Sequence, residues 1–288
     1  MHSGGKPYIF IIMDARELAG VLQVVLPLLY LGVVAVYAVA FFRDSHSASM
    51  FRLPSLVGMI AVHLLYIGAR TVAFDHPPIT SVFEMMTMLA ACISIAYLYL
   101  ELRNRTGATG MFILFLAFLF QTASSLFIRD LLVLPEYLHS LVLGFHVAMA
   151  LLGYTGITLS AVYGILYLLL YHDIKSSRFG IVYARMPSLE VLESMSFRAE
   201  LLGFWALGAA IVIGLFWLPR VFQEFSYWDP KLVGTIAIWV LYAAGFAAKH
   251  RFGWRGRKMM VISLIAFVFV FFSMTIVNLY LSGFHSFH

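Results

Sequence analysis

Histidine is the residue type through which this sequence could do chemistry. There are ten histidines in 288 residues, against a single cysteine. Cys92 sits inside an apolar run, and alone it builds neither a disulfide framework nor a thiol-exchange pair. His146 lies near one end of a long apolar stretch, and His285 lies just past the end of the last one. Imidazole is the commonest metal ligand and binds iron readily. Two imidazoles that reach the same depth from different helices could hold one iron from opposite faces. Thr275, Asn278, Ser282 and His285 follow one another at spacings of three, four and three, which is one face of a helix. Spacing alone leaves that stripe two meanings: a ligand-bearing face, or interhelical hydrogen bonds of about 1 kcal/mol or less each. Hydrolase chemistry finds no support, since the chain has neither Gly-x-Ser-x-Gly nor His-Glu-x-x-His.

The elements that must position these groups are membrane spans. Hydrophobic residues make up 62% of the chain and charged residues 11%, less than half the usual share of about 25%. The mean hydropathy is +0.92. A soluble domain could not keep so much apolar surface from water, so lipid is the expected solvent. Apolar runs lie at 18–41, 54–73, 81–101, 109–128, 141–170, 200–218, 233–248 and 259–282. A span needs about 20 residues, and the long fifth run and short seventh are accommodated by tilt or extension. The expectation is an all-α integral membrane protein, a single transmembrane domain over residues 1–288 with about eight spanning helices. Ile9 to Met13 is too short for a signal peptide, and Asp14, Arg16 and Glu17 follow at once. There is no inverted repeat and no pair of broken helices, so a secondary transporter is the weaker reading. Pro27, inside the first run, reads as a tolerated kink.

Charge sets the orientation. Thirteen of the nineteen lysines and arginines fall in the connections after runs 1, 3, 5 and 7, among them Arg43, Arg103, Lys175 and Arg257. The positive-inside rule puts those connections in the cytoplasm and both termini outside. The same distribution argues against nucleic acid as the reason for a net charge of +5. His46, His172 and His250 then belong to the cytoplasmic side. His2, His76, His139 and His288 lie outside, His146 and His285 near the outer edge, and His63 in mid-membrane. An ionisable group at that depth is a functional candidate by default. His63 could ligate a haem in transit with His250, or it could be a neutral ring bonded to a neighbouring helix. The longest connection, 171–199, is cytoplasmic, and Pro187-Ser188-Leu189-Glu190 within it reads as the start of an interfacial helix. On the outer side, 219–232 is rich in aromatics: a belt at the lipid boundary, or an apolar platform for a flat macrocycle whose propionates could pair with Lys231 or Arg220.

Several segments resemble the cytochrome c assembly family of membrane haem-handling proteins, which includes CcsA (also called ResC), CcmC and HemX proteins. Tyr227-Trp228-Asp229-Pro230-Lys231 resembles the end of that family's tryptophan-rich outer loop, and Trp239 follows at its spacing. Gly253-Trp254-Arg255-Gly256-Arg257-Lys258 resembles its cytoplasmic turn before the last helix, and Gly283-Phe284-His285-Ser286-Phe287 its C-terminal end. Thr80-Ser81-Val82-Phe83-Glu84, His146-Val147 with Tyr154, Met186-Pro187-Ser188-Leu189-Glu190, Arg198 and Gly203-Phe204 are similar to further family positions.

The resemblance implies roles. His146 and His285 map onto the two outer histidines that are axial haem ligands. Trp228 and Asp229, with Tyr227 and Lys231 beside them, map onto the loop that holds the haem. The implied cofactor is a non-covalent haem b. The implied function is handling or presenting haem at the non-cytoplasmic face for cytochrome c biogenesis, in the plasma membrane. The implied partners, beside the bilayer, are a second membrane assembly subunit and apocytochrome c. The chain would be at most the haem-delivering subunit of a cytochrome c synthase. Departures fit an alternative at least as well. Phe222, Gln223 and Ser226 stand where the family has further tryptophans and a glycine, Leu232 stands for a glutamate, and Ala247 stands near the place of a membrane histidine. A HemX-like regulator of haem biosynthesis, acting on the level of glutamyl-tRNA reductase without obligatory haem transfer, fits those departures.

Overall fold

Hydrocarbon offers a backbone no hydrogen bonds, so a chain of this composition crosses it as helices or as a closed barrel. The computed structural model is helical, with no strand among the residues it describes: 6–129, 140–221 and 226–272, of which 6–13 and Lys231 are described in backbone only. The helices are α1 (Lys6–Arg43), α2 (His46–Phe74), α3 (Val82–Asn104), α4 (Gly110–Phe127), α5 (Leu141–Lys175), α6 (Ile181–Arg185), α7 (Leu189–Val221), α8 (Pro230–Phe252) and α9 (Arg257–Phe272). Seven of them are long and apolar enough to span: α1 from Asp14, α2, α3, α4, α5, α7 and α8 from Leu232. The eighth run is described through Phe272. His285 and the stripe Thr275, Asn278 and Ser282 lie outside the described residues. The lipid-facing character is plain in exposed side chains such as Val24, Leu28, Trp205 and Phe216, all 65–71% exposed.

Two elements differ from the sequence reading. Residues 189–199 are the first third of α7 rather than a separate interfacial helix, and the short α6 alone stands apart in that connection. From Leu189 no proline or glycine interrupts the chain before Gly203, so the helix entering the membrane begins well outside it. Similarly, α8 runs through Lys249, His250 and Arg251, which makes the short seventh run a helix of 23 residues.

The described helices form two compact units, Met1–His139 and Ser140–His288. In the first, α1 lies against α2 and α4, and α3 against α4. Its polar groups stack in three layers. Near the α2–α3 turn, Arg70 donates to Glu84 Oε1 from Nη2 at 3.0 Å and Nε at 3.3 Å, both side chains being at most 2% exposed. Glu84 Oε2 accepts from the Thr80 amide at 2.8 Å and hydroxyl at 2.7 Å, while Ser81 caps α3. At the opposite end the Tyr37 hydroxyl donates to Glu101. In the middle layer the Tyr30 hydroxyl donates to His63 Nδ1 at 2.9 Å. His63 Nε2 donates to Thr87 Oγ1 at 3.0 Å, Thr87 Oγ1 to Gln121 Oε1 at 2.6 Å, and Gln121 Nε2 to Ser125 at 3.0 Å. Side chains from all four helices thus satisfy one another where water is absent.

In the second unit α5 and α7 cross where side chains vanish. A Cβ on Gly156 would sit 2.6 Å from the Ala199 carbonyl oxygen, and one on Gly203 would sit 2.9 Å from the Ile157 nitrogen. Small residues permit such backbone approach between membrane helices. Below the crossing, Ser160 Oγ lies 2.9 Å from Ser196 Oγ and 2.8 Å from Ser263 Oγ, tying α5, α7 and α9 together. Trp239 of α8 stacks on Phe204 of α7, ring centroids 4.8 Å apart, and donates its Nε1 proton to the Phe204 carbonyl at 3.0 Å.

Candidate functional site

His146 stands one turn into α5, half-buried and turned toward α7. Its Nδ1 lies 2.9 Å from the Ala210 carbonyl oxygen. A carbonyl only accepts, so Nδ1 carries the proton and the in-plane lone pair of the neutral ring is on Nε2. A second hydrogen bond that fixes tautomer and ring orientation is the usual partner of a metal-binding imidazole. The approach depends on Gly214, one turn beyond Ala210. A Cβ there would lie 3.0 Å from His146 Cε1 and 3.3 Å from Nδ1. A methyl there would make the ring give by a few tenths of an ångström, and a longer side chain would stand where the ring now reaches the helix backbone.

His146 opens on a cavity of about 60 Å³, lined also by Ala150 and Tyr154 of α5, Leu207, Ile211 and Leu218 of α7, and Leu232 and Thr235 of α8. Its walls are mostly apolar. The start of α8 therefore shares this cavity with the histidine, and the loop residues before it set where α8 starts. Asp229 is 5% exposed, and its Oδ1 accepts from the Leu232 amide at 3.3 Å, with Pro230 in the first helical position. That is an aspartate N-cap followed by proline, a strong local start signal. Tyr227 and Trp228 point outward, the Trp228 indole 85% exposed. The structure thus brings His146, Asp229 and the base of the aromatic loop to one end of α5, α7 and α8. Of the other candidates there, Lys231 is placed by its backbone in the first turn of α8.

His63 and His250 are placed differently. Both ring nitrogens of His63 are hydrogen-bonded, as described above, and the side chain is 1% exposed. Ligation by either nitrogen would break one of those bonds. His250 is exposed at the basic end of α8, in the other unit. Among the described residues no group of three or more His, Cys, Asp or Glu side chains could hold a bare metal ion.

The structure adds buried groups and a close approach that sequence reasoning missed. Gly214 is one. The buried Arg70–Glu84 pair is another; its signal was the Ser81-x-x-Glu84 helix start. Glu200 is a third: it is 1% exposed inside α7, with Oε1 lacking a hydrogen-bond partner among the described residues and Lys249 as a favourable charge nearby. A lone carboxylate in a spanning run was the available signal.

Residues 79–285 match the family profile described as cytochrome C assembly protein. The chain belongs to that family. The matched stretch includes both His146 and His285, the aromatic loop and Glu84. Among its relatives, a cytochrome c biogenesis protein CcsA from Heterosigma akashiwo is 24% identical over 268 residues, covering 81% of this chain and 83% of the relative. A protein of the same name from Gloeobacter violaceus is 24% identical over 302 residues, covering 84% and 89%. The likeness of this cytochrome c assembly family member to those relatives thus runs through both units.

Proposed function

We propose that this multi-pass membrane protein binds haem at its non-cytoplasmic face and presents it for cytochrome c assembly, with His146 and His285 as axial ligands. The observation that carries the reading is the Ala210 carbonyl on His146 Nδ1, which holds the ring against α7 and puts its lone pair on Nε2, the atom we assign to the iron. Family membership over residues 79–285 supports the same reading. Non-covalent haem b would supply the iron and the vinyl groups that an apocytochrome takes up; the protein supplies ligation, orientation and exclusion of water. The cavity beside His146 is far below the roughly 300–1,000 Å³ of sites that enclose ligands. It therefore seats the imidazole, and the macrocycle would be held outside it, toward Trp228 and Tyr227. Asp229 acts by capping α8, which fixes the loop, and Lys231 is the candidate partner of a propionate. His63 is a neutral structural ring. Both termini lie outside the plasma membrane, and a second membrane subunit would hold the apocytochrome.

The departures at Phe222, Gln223, Ser226, Leu232 and Ala247 favour a second reading, a HemX-like regulator. A strain lacking the protein separates the two. Loss of c-type cytochromes, restored by wild type and not by His146→Ala, is the expected result. Normal cytochromes with an altered level of glutamyl-tRNA reductase would transfer the assignment to regulation.

A further inference from the structure

We propose that the groove between the end of α5 and the start of α9 binds the headgroup of an anionic phospholipid. The groove is a cavity of about 310 Å³ lined by Leu168, Tyr171, His172 and Lys175 of α5 and by Arg257 and Val261 of α9. Lys175 is the last residue of α5 and Arg257 the first of α9, so both cations stand at the ends of the two helices, just beyond the apolar runs 141–170 and 259–282. No carboxylate lines it. Two acids of α7 lie by this turn: Glu193, whose Oε1 accepts from the Gly256 amide at 3.0 Å, and Glu190, close enough to Tyr167 to act on it by charge.

The turn before α9 is shaped to bring Arg257 against α5. Gly256 has φ of +60°, and a Cβ on it would lie 2.7 Å from the Tyr167 hydroxyl. Tyr167 in turn stacks on Tyr171, ring centroids 6.3 Å apart. Glycine is needed for both the angle and the approach. The result is a rim of Arg257, Lys175, His172 and the Tyr171 hydroxyl, all able to donate to phosphate oxygens.

A free anion would need only that rim. Here Leu168 and Val261 continue the groove toward the bilayer interior, and Ile165 and Ile265, 44% and 47% exposed, extend the apolar track along the same two helices. Charge at the headgroup level above an apolar floor is the complement of one anionic lipid, and basic pockets between spanning helices are known to take such headgroups.

The test uses the full-length protein in nanodiscs of phosphatidylcholine, with phosphatidylglycerol added in increasing fraction. Bound phosphatidylglycerol is counted by native mass spectrometry, and the melting temperature is followed in parallel. Wild type is expected to retain phosphatidylglycerol over phosphatidylcholine and to melt higher with it. Lys175→Gln and Arg257→Gln should each weaken retention about five-fold. The pair Arg251→Gln with Arg255→Gln, exposed at the same end but outside the groove, should leave retention unchanged. Equal loss in both pairs would reduce the effect to surface charge and overturn the site. Displacement of the lipid by millimolar inorganic phosphate would overturn the lipid in favour of a free-anion site.

Discussion

Glu84→Ala is expected to destabilise the first unit by about 3–5 kcal/mol, the cost of breaking one side of a buried ion pair. The carboxylate receives both Arg70 contacts and both Thr80 contacts, and every group involved is at most 2% exposed. Removing it takes from a buried guanidinium the carboxylate to which it donates twice, and from two Thr80 donors their acceptor. The bridge also joins the end of α2 to the start of α3 across the turn at Asp75, so its loss releases the connection that sets both helices. Replacing both charges, as Arg70→Met with Glu84→Leu, should cost much less than either single change, because no charge is then left buried. Reversible unfolding in mixed detergent, run as a double-mutant cycle, measures the coupling. A cost for Glu84→Ala within about 1 kcal/mol would mean that water or lipid headgroups reach the pair.

The second large effect belongs to Gly214, and it rests on the haem-ligand reading. A Cβ at this position would already lie 3.0 Å from His146 Cε1. Gly214→Ala asks the ring to give by a few tenths of an ångström, which it can do by sliding along the α7 backbone. Gly214→Leu places a branched side chain in the space the imidazole occupies, breaks the bond from Nδ1 to Ala210 and frees the tautomer. Haem retention in Gly214→Leu should fall as far as in His146→Ala, with Gly214→Ala between it and wild type. The helix itself should survive, since leucine is a better helix former than glycine. Retention is read as haem per protein after purification, and circular dichroism checks the helix. Full haem in Gly214→Leu would show that the ring's seat on α7 has no part in binding.

The spans were legible because each has a one-dimensional signature: about twenty apolar residues bounded by charge or turn residues. Where such a signature was weak, the boundaries moved. The basic Lys249-His250-Arg251 reads as a loop by hydropathy, yet the backbone stays helical through it. The same holds for residues 189–199, whose charges speak of water while their uninterrupted helix formers decide the conformation. Arg70 is one of the six cations outside the cytoplasmic connections, and by charge counting it is only a topology marker of the outer side. Its burial could not be read there, because its partner comes from the next helix across a turn. His146 was legible as a ligand candidate by type and depth. What holds it was not, since Ala210 and Gly214 are more than sixty residues away and meet it only because α5 and α7 cross closely at Gly156 and Gly203. Asp229 was singled out through a family loop, and the local chemistry of Asp-Pro at a helix start accounts for its place. The partition into two units left no mark on composition, since both halves are equally apolar.

The absorption spectrum of the purified protein tests the central claim most directly. Wild type should carry the sharp visible bands of a low-spin bis-histidine haem, His146→Ala and His285→Ala should each lose them, and added imidazole should restore them in His146→Gly. The same low-spin spectrum in wild type and in both alanine variants would contradict the claim that these two rings hold the iron.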